Sequence, residues 1–146
     1  MPRPTPLLDL RDAIKTAWEA LTPPDYDRRK YKHVDKPGSG ASSHRTFYFR
    51  LPRGGEILEQ GKSTFTLNWD FDAVVKLHLP ERTSVEFDAF YQEAQVLLSA
   101  IHTIAIPTGI QVPIAVRCDP EAPLGGKAGD LNLTIAIRAR AKEQTT

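Results

Sequence analysis

Residues 63–79 read STFTLNWDFDAVVKLHL, and their alternation decides how the chain folds. Phe65, Leu67, Trp69, Phe71, Ala73, Val75, Leu77 and Leu79 fill the odd positions. The even positions hold Thr64, Thr66, Asn68, Asp70, Asp72, Val74, Lys76 and His78, polar in all but one case. A period of two predicts a β-strand with one buried face and one wet face. From Thr64 to Leu79, at about 3.3 Å per residue, such a strand spans about 50 Å. A chain of 146 residues makes a domain only about 40 Å across. The strand therefore either bends, at Asn68–Asp72, or runs past its own domain and offers surface to another molecule.

The flanking sequence supplies the other elements. Pro80 ends the strand. Thr83, with Glu86 three residues on, has the form of a capping box. Phe87, Phe90, Tyr91, Ala94, Leu97, Leu98 and Ile101 then recur at helical spacing, predicting a helix to about Thr103. A first helix is predicted over Pro6–Leu21, with Pro6 at its first position and Leu10, Ile14, Ala17, Trp18 and Leu21 on one face. Shorter alternating runs follow Phe47, Phe49, Leu51; Ile110, Val112, Ile114, Val116; and Leu131, Leu133, Ile135, Ile137, Ala139. The order is α-β-β-α-β-β. It predicts an α+β two-layer sandwich: a mainly antiparallel sheet of about four strands, with two helices on one face. One domain spans 1–146, carrying a long aperiodic arm at 22–43, TPPDYDRRKYKHVDKPGSGASS. Arms of this length are usually functional or disordered.

Composition narrows the classes of function. A net charge of +1 lacks the basic excess of a nucleic-acid binder. Cys118 is the only cysteine, so neither an intrachain disulfide nor a cysteine metal site can form. The opening MPRPTPLLDLRDAIK has charges inside its apolar stretch, unlike a secretory leader. No run approaches the ~18 apolar residues of a membrane span.

Candidate site residues are few. Arg28, Arg29, Lys30, Lys32 and Lys36, interleaved with Tyr26 and Tyr31, form the densest basic stretch, though Asp25, Asp27 and Asp35 dilute it. They are the candidate interface: a contact arm ordered mainly by a neighbouring subunit. Asp70 and Asp72 share a strand face. They are read as solvent-facing carboxylates or, if that face lines a channel, as charges that keep a polyanion off the wall. His33, His44, His78 and His102 show no metal-ligand spacing. Gly125–Gly126–Lys127 lacks the rest of a phosphate loop. No catalytic, cofactor-binding or metal-ligating motif is present, so neither an enzyme nor a cofactor is expected.

Three segments carry a family resemblance: LLDLRDAIKTAWEAL at 7–21, FYQEAQVLLSAIHTI at 90–104, and IQVPIAVRCDPEAP with DLNLTIAIRAR at 110–123 and 130–140. In this order the chain resembles the tail terminator, or tail-to-head joining, proteins of long-tailed bacteriophages. The resemblance implies a virion protein assembled in the host cytoplasm. Identical subunits, as a hexamer, would form a ring that caps the tail tube protein and meets a head-completion or connector protein. Genomic DNA would pass through the lumen unbound, with no membrane involved. Alternatives are another head–tail or baseplate component and, from a different class, a small α+β enzyme or ligand-binding domain using Asp70, Asp72 and His78.

Overall fold

The computed structural model describes residues 5–22, 29–36, 38–61, 64–80, 83–121 and 129–144. In chain order the elements are α1 (Pro6–Glu19), β1 (Lys32–His33), a short 3-10 turn (Ala41–Ser43), β2 (Thr46–Phe49), β3 (Arg53–Gln60), β4 (Thr64–His78), α2 (Ser84–Thr103), β5 (Ile110–Glu121) and β6 (Asp130–Gln144). The expected four-stranded order α-β-β-α-β-β is thus overturned: four strands precede α2, and the sheet has six. It is also mixed, because β1 and β2 run parallel.

The two unforeseen strands have physical reasons for leaving no pattern. β1 is two residues long, too short to show a period. β3 pairs antiparallel with β4, but its register shifts between Gly54 and Ile57 and again between Ile57 and Glu59. Each shift inserts an extra residue into β3 against β4, so no regular period of two marks the strand.

β4 is the spine. It pairs with β6 over its whole length, from Thr64↔Gln144 to His78↔Asp130. Its other edge is divided: β3 takes residues 65–70 and β2 takes residues 73–76. β5 lies outside β6.

The odd-numbered face of β4 carries the core. Phe71, Ala73, Val75, Leu77 and Leu79 join one apolar cluster with Leu133, Ile135, Ile137, Ala139 and Ala141 of β6. Leu10, Ile14 and Trp18 of α1 and Leu97, Ala100 and Ile101 of α2 close it from above. Trp69 packs against the cluster, and Leu67 is buried opposite Ala141 of the cluster, so only the opening residues Thr64, Phe65 and Thr66 extend past it. The even face is less wet than its composition suggests: Asp72, Val74 and Lys76 are all buried. Here β4 is central, and Val74 lies between Tyr48 and Thr134, Lys76 between Thr46 and Asn132.

The helices begin as their sequences indicate. Pro6 occupies the first turn of α1, and the Thr83 hydroxyl accepts the Glu86 N–H at 3.4 Å. Neither described helix is long and apolar enough to cross a membrane.

The chain re-enters the sheet at Gly129, with φ +89 and its carbonyl accepting the Leu79 N–H at 2.8 Å. A Cβ there would sit 2.5 Å from the Pro80 Cα. Gly129→Ala therefore combines a left-handed conformation costing about 1–2 kcal/mol with a backbone clash. We expect the melting temperature to fall by at least several degrees, read by circular dichroism; an unchanged value would show that the β5–β6 connection yields freely.

Candidate assembly surfaces

The basic arm serves its own domain. Arg28 lies outside the described residues. The Arg29 guanidinium donates to the Ala41 carbonyl, and the Arg29 carbonyl accepts from Arg45 Nη1 at 2.6 Å. Tyr31 is buried in the core, and the Lys32 and Val34 N–H groups donate to the Arg45 and Phe47 carbonyls at 2.9 Å. Lys30, Lys32 and Lys36 point to solvent. The described part of the arm makes these contacts within the chain, and its lysines are exposed. A composition dominated by charge conceals the buried aromatic and the strand hydrogen bonds.

What holds this region is Arg45, a residue with φ +61 whose sequence neighbours give no hint of its role. Its side chain and that of Glu93 on α2 are both fully buried. Arg45 Nε donates to Glu93 Oε1 at 2.7 Å, and the guanidinium lies 5.5 Å from the Tyr31 ring. The pair fixes which side of α2 faces inward.

Asp70 and Asp72 are each paired with arginine. Arg138 Nε donates to Asp70 Oδ1 at 2.9 Å; this bond, then the carboxylate's charge, pushes the Arg138 guanidinium up. Asp72 receives Arg50 at 3.3 Å and Arg53 at 3.6 Å. Arg53 and Arg138 stand directly across from Asp70 on the same face. Partnered in this way, the two carboxylates do not make the repelling acidic wall considered from sequence. Nor do they meet His78, which lies eight positions along β4 from Asp70, about 26 Å in an extended strand.

His78 has another partner. Its Nδ1 is 2.8 Å from Asp130 Oδ1, and the Asp130 carboxylate also accepts the Gly40 N–H at 3.0 Å. His44 Nδ1 accepts the His78 backbone N–H at 2.9 Å, so a neutral His44 carries its proton on Nε2. The nearby Ser43 hydroxyl donates to the Gly40 carbonyl. These bonds strap residues 40–46 to the end of β4 and β6. Among the described residues no group of three or more His, Cys, Asp or Glu is placed to hold a metal ion.

Cys118 on β5 is half-buried. Burial, and secondly the charge of Asp119, push its thiol up. Only the thiolate is nucleophilic, so the onset of reactivity moves to higher pH. Alkylation at about pH 8 should run several-fold slower than at an ordinary exposed thiol. Asp119→Asn should speed it modestly, because burial is the larger cause. A rate equal to that of a free thiol would refute this.

The remaining features are apolar surfaces. A groove of about 260 Å³ runs between α1 and the β2–β3 connection, lined by Leu7, Leu8, Phe49, Leu51, Pro52 and Phe71. Arg11 and Arg50 complete it. Leu51, expected in a strand, is 87% exposed and Leu8 is 44% exposed. On α2, Val85, Phe87 and Tyr91 are 70%, 49% and 75% exposed. Phe87 was expected in the core with Trp18, Leu97 and Ile101; those three are buried, Phe90 packs at the core's edge, and Phe87 is outside. Helical spacing alone puts Phe87, Phe90 and Tyr91 on the stripe of Leu97 and Ile101; the exposure of Phe87 and Tyr91 follows from their place on the opening turns of α2, which no local pattern marks.

In comparisons with known proteins, no protein-family model matches the chain and no curated protein matches it.

Proposed function

We propose that this chain is the ring-forming subunit of a bacteriophage tail terminator, capping the finished tail tube and joining it to the head. The observation that carries the reading is the β4–β6 ladder. Each strand has fifteen residues, paired throughout. At about 3.3 Å per residue the ladder is about 50 Å long, and its opening residues, Thr64, Phe65 and Thr66, reach past the core cluster. A sheet longer than its own core supplies surface for neighbouring copies. The three segments that resemble the family form α1, most of α2 and the β5–β6 pair, so the resemblance covers both core helices and the outer ladder.

In this role the partners are identical copies in a hexameric ring, the tail tube protein on one side and a head-completion or connector protein on the other. DNA passes through the lumen. Function resides in surfaces, and no residue is assigned to catalysis.

The test is electron microscopy of the purified protein, alone and mixed with tail tubes. Closed rings, free or seated on tube ends, are the expected result. A chain that stays monomeric at every concentration and leaves tube ends bare would overturn the proposal. Attachment elsewhere on the particle would reassign it to another neck or baseplate component.

A further inference from the structure

We infer that the groove between α1 and the β2–β3 connection receives Phe87 and Tyr91 of α2 from the next copy of the same chain. The contact rests on the reading of the chain as a ring subunit.

A closed ring is built from heterologous contacts, so one chain must carry two different and complementary patches. Five of the seven large exposed apolar side chains among the described residues gather in two such places, Leu8 and Leu51 at the groove and Val85, Phe87 and Tyr91 on the opening turns of α2; Ile57 on β3 and Ile106 beyond α2 stand apart. Four residues apart, Phe87 and Tyr91 lie on one side of the helix. Ala89, Glu93, Leu97, Ala100 and Ile101 are buried, and further along the aromatics' own side Ala94 and Leu98 pack on the core's edge. Phe87 and Tyr91 are exposed because they stand on the opening turns of α2, before that side reaches the core.

Size favours a side-chain occupant. Sites for drug-sized ligands begin at about 300 Å³, whereas the groove holds about 260 Å³ and is open along Leu51. Exposed aromatics that enter apolar pockets are the usual anchors of interfaces.

Charge favours this pairing over the symmetric ones. Arg11 and Arg50 flank the groove; both reach solvent while paired within the chain, Arg11 with Asp12 and Arg50 with Asp72. Asp88 is exposed beside Phe87. Groove against groove would oppose arginines with arginines, and α2 against α2 would oppose Asp88 with Asp88. Groove against α2 brings Asp88 to the arginines of the groove rim, an arrangement that fixes orientation and register.

The experiment measures ring formation by sedimentation velocity and by electron microscopy at tube ends for the unmodified chain, Leu51→Asp and Tyr91→Asp. Both positions are exposed, so each variant should keep its melting temperature. Each should weaken association by at least about 30-fold, the threshold of an interface hot spot. Arg11→Asp and Asp88→Arg should each weaken it, and the double variant should recover much of the loss. Rings that form undiminished in both Leu51→Asp and Tyr91→Asp would overturn this contact and leave the ring reading standing. An unmodified chain that forms no ring would overturn both.

Discussion

Glu93→Ala should lower the stability of the domain by about 3–5 kcal/mol, the usual cost of removing one member of a buried ion pair. A domain of ordinary stability has about 5–15 kcal/mol in total, so the variant should melt about 10 °C or more below the unmodified protein. Removing the Glu93 carboxylate strands the Arg45 guanidinium where no water reaches it. The damage should extend beyond α2. Arg45 also holds the Arg29 carbonyl, and its backbone bridges Lys32 and Lys76, so the described arm should loosen and exchange its amide protons faster. Removing both charges, as in Arg45→Met with Glu93→Leu, should cost less than either single change, because two apolar side chains leave no buried charge behind. Thermal unfolding of the three variants is the measurement. Equal or additive losses would mean that the two groups do not depend on each other.

Trp18→Ala should cost about as much, ~3–5 kcal/mol, through lost burial and the cavity left behind. Trp18 is fully buried and joins three elements. Its Nε1–H donates to the Leu97 carbonyl of α2 at 3.1 Å. Its ring meets Phe47 edge-on at 5.1 Å and stacks with Phe49 at 6.3 Å. Trp18→Phe keeps most of the apolar volume and loses one hydrogen bond, worth about 1 kcal/mol, and should be far milder. Denaturant titrations would show this as a large drop in midpoint for Ala and a small one for Phe. Two similar midpoints would mean that the ring contributes little beyond its hydrogen bond.

The residues that announced themselves were those whose environment repeats along the chain. Phe71 to Leu79 fall at every second position because one sheet face meets one core. Leu10, Ile14 and Trp18 recur at helical spacing because α1 lies flat on that face. Thr83 and Pro6 mark helix starts through local chemistry alone. Groups that depend on a partner distant in sequence left no such trace. Glu93 sits among apolar residues of α2, and an acid there looks like an interruption of the core until Arg45 is seen opposite it. Phe87 and Tyr91 look like core residues for the same reason: the rotation of α2 about its axis is set by where Glu93 must point.

The same distinction separates the candidate surfaces. Asp70 and Asp72 could be assigned to one strand face from the period of two, but their charge balance depends on Arg138, Arg50 and Arg53, far away in the chain and brought near only by strand pairing. The groove at Leu51 does not exist in the chain; it opens because β2 ends at Phe49 and β3 begins at Arg53 on the same edge of β4. The amino-acid sequence by itself determined the helices, the long central strand, its core face and the absence of an intrachain disulfide, because these follow from periodicity, caps and composition. Only the tertiary structure decided the number and order of strands, the seat of the arm, the inward side of α2 and the surfaces left uncovered. Those depend on register and on pairs of residues far apart in the chain, which no local pattern encodes.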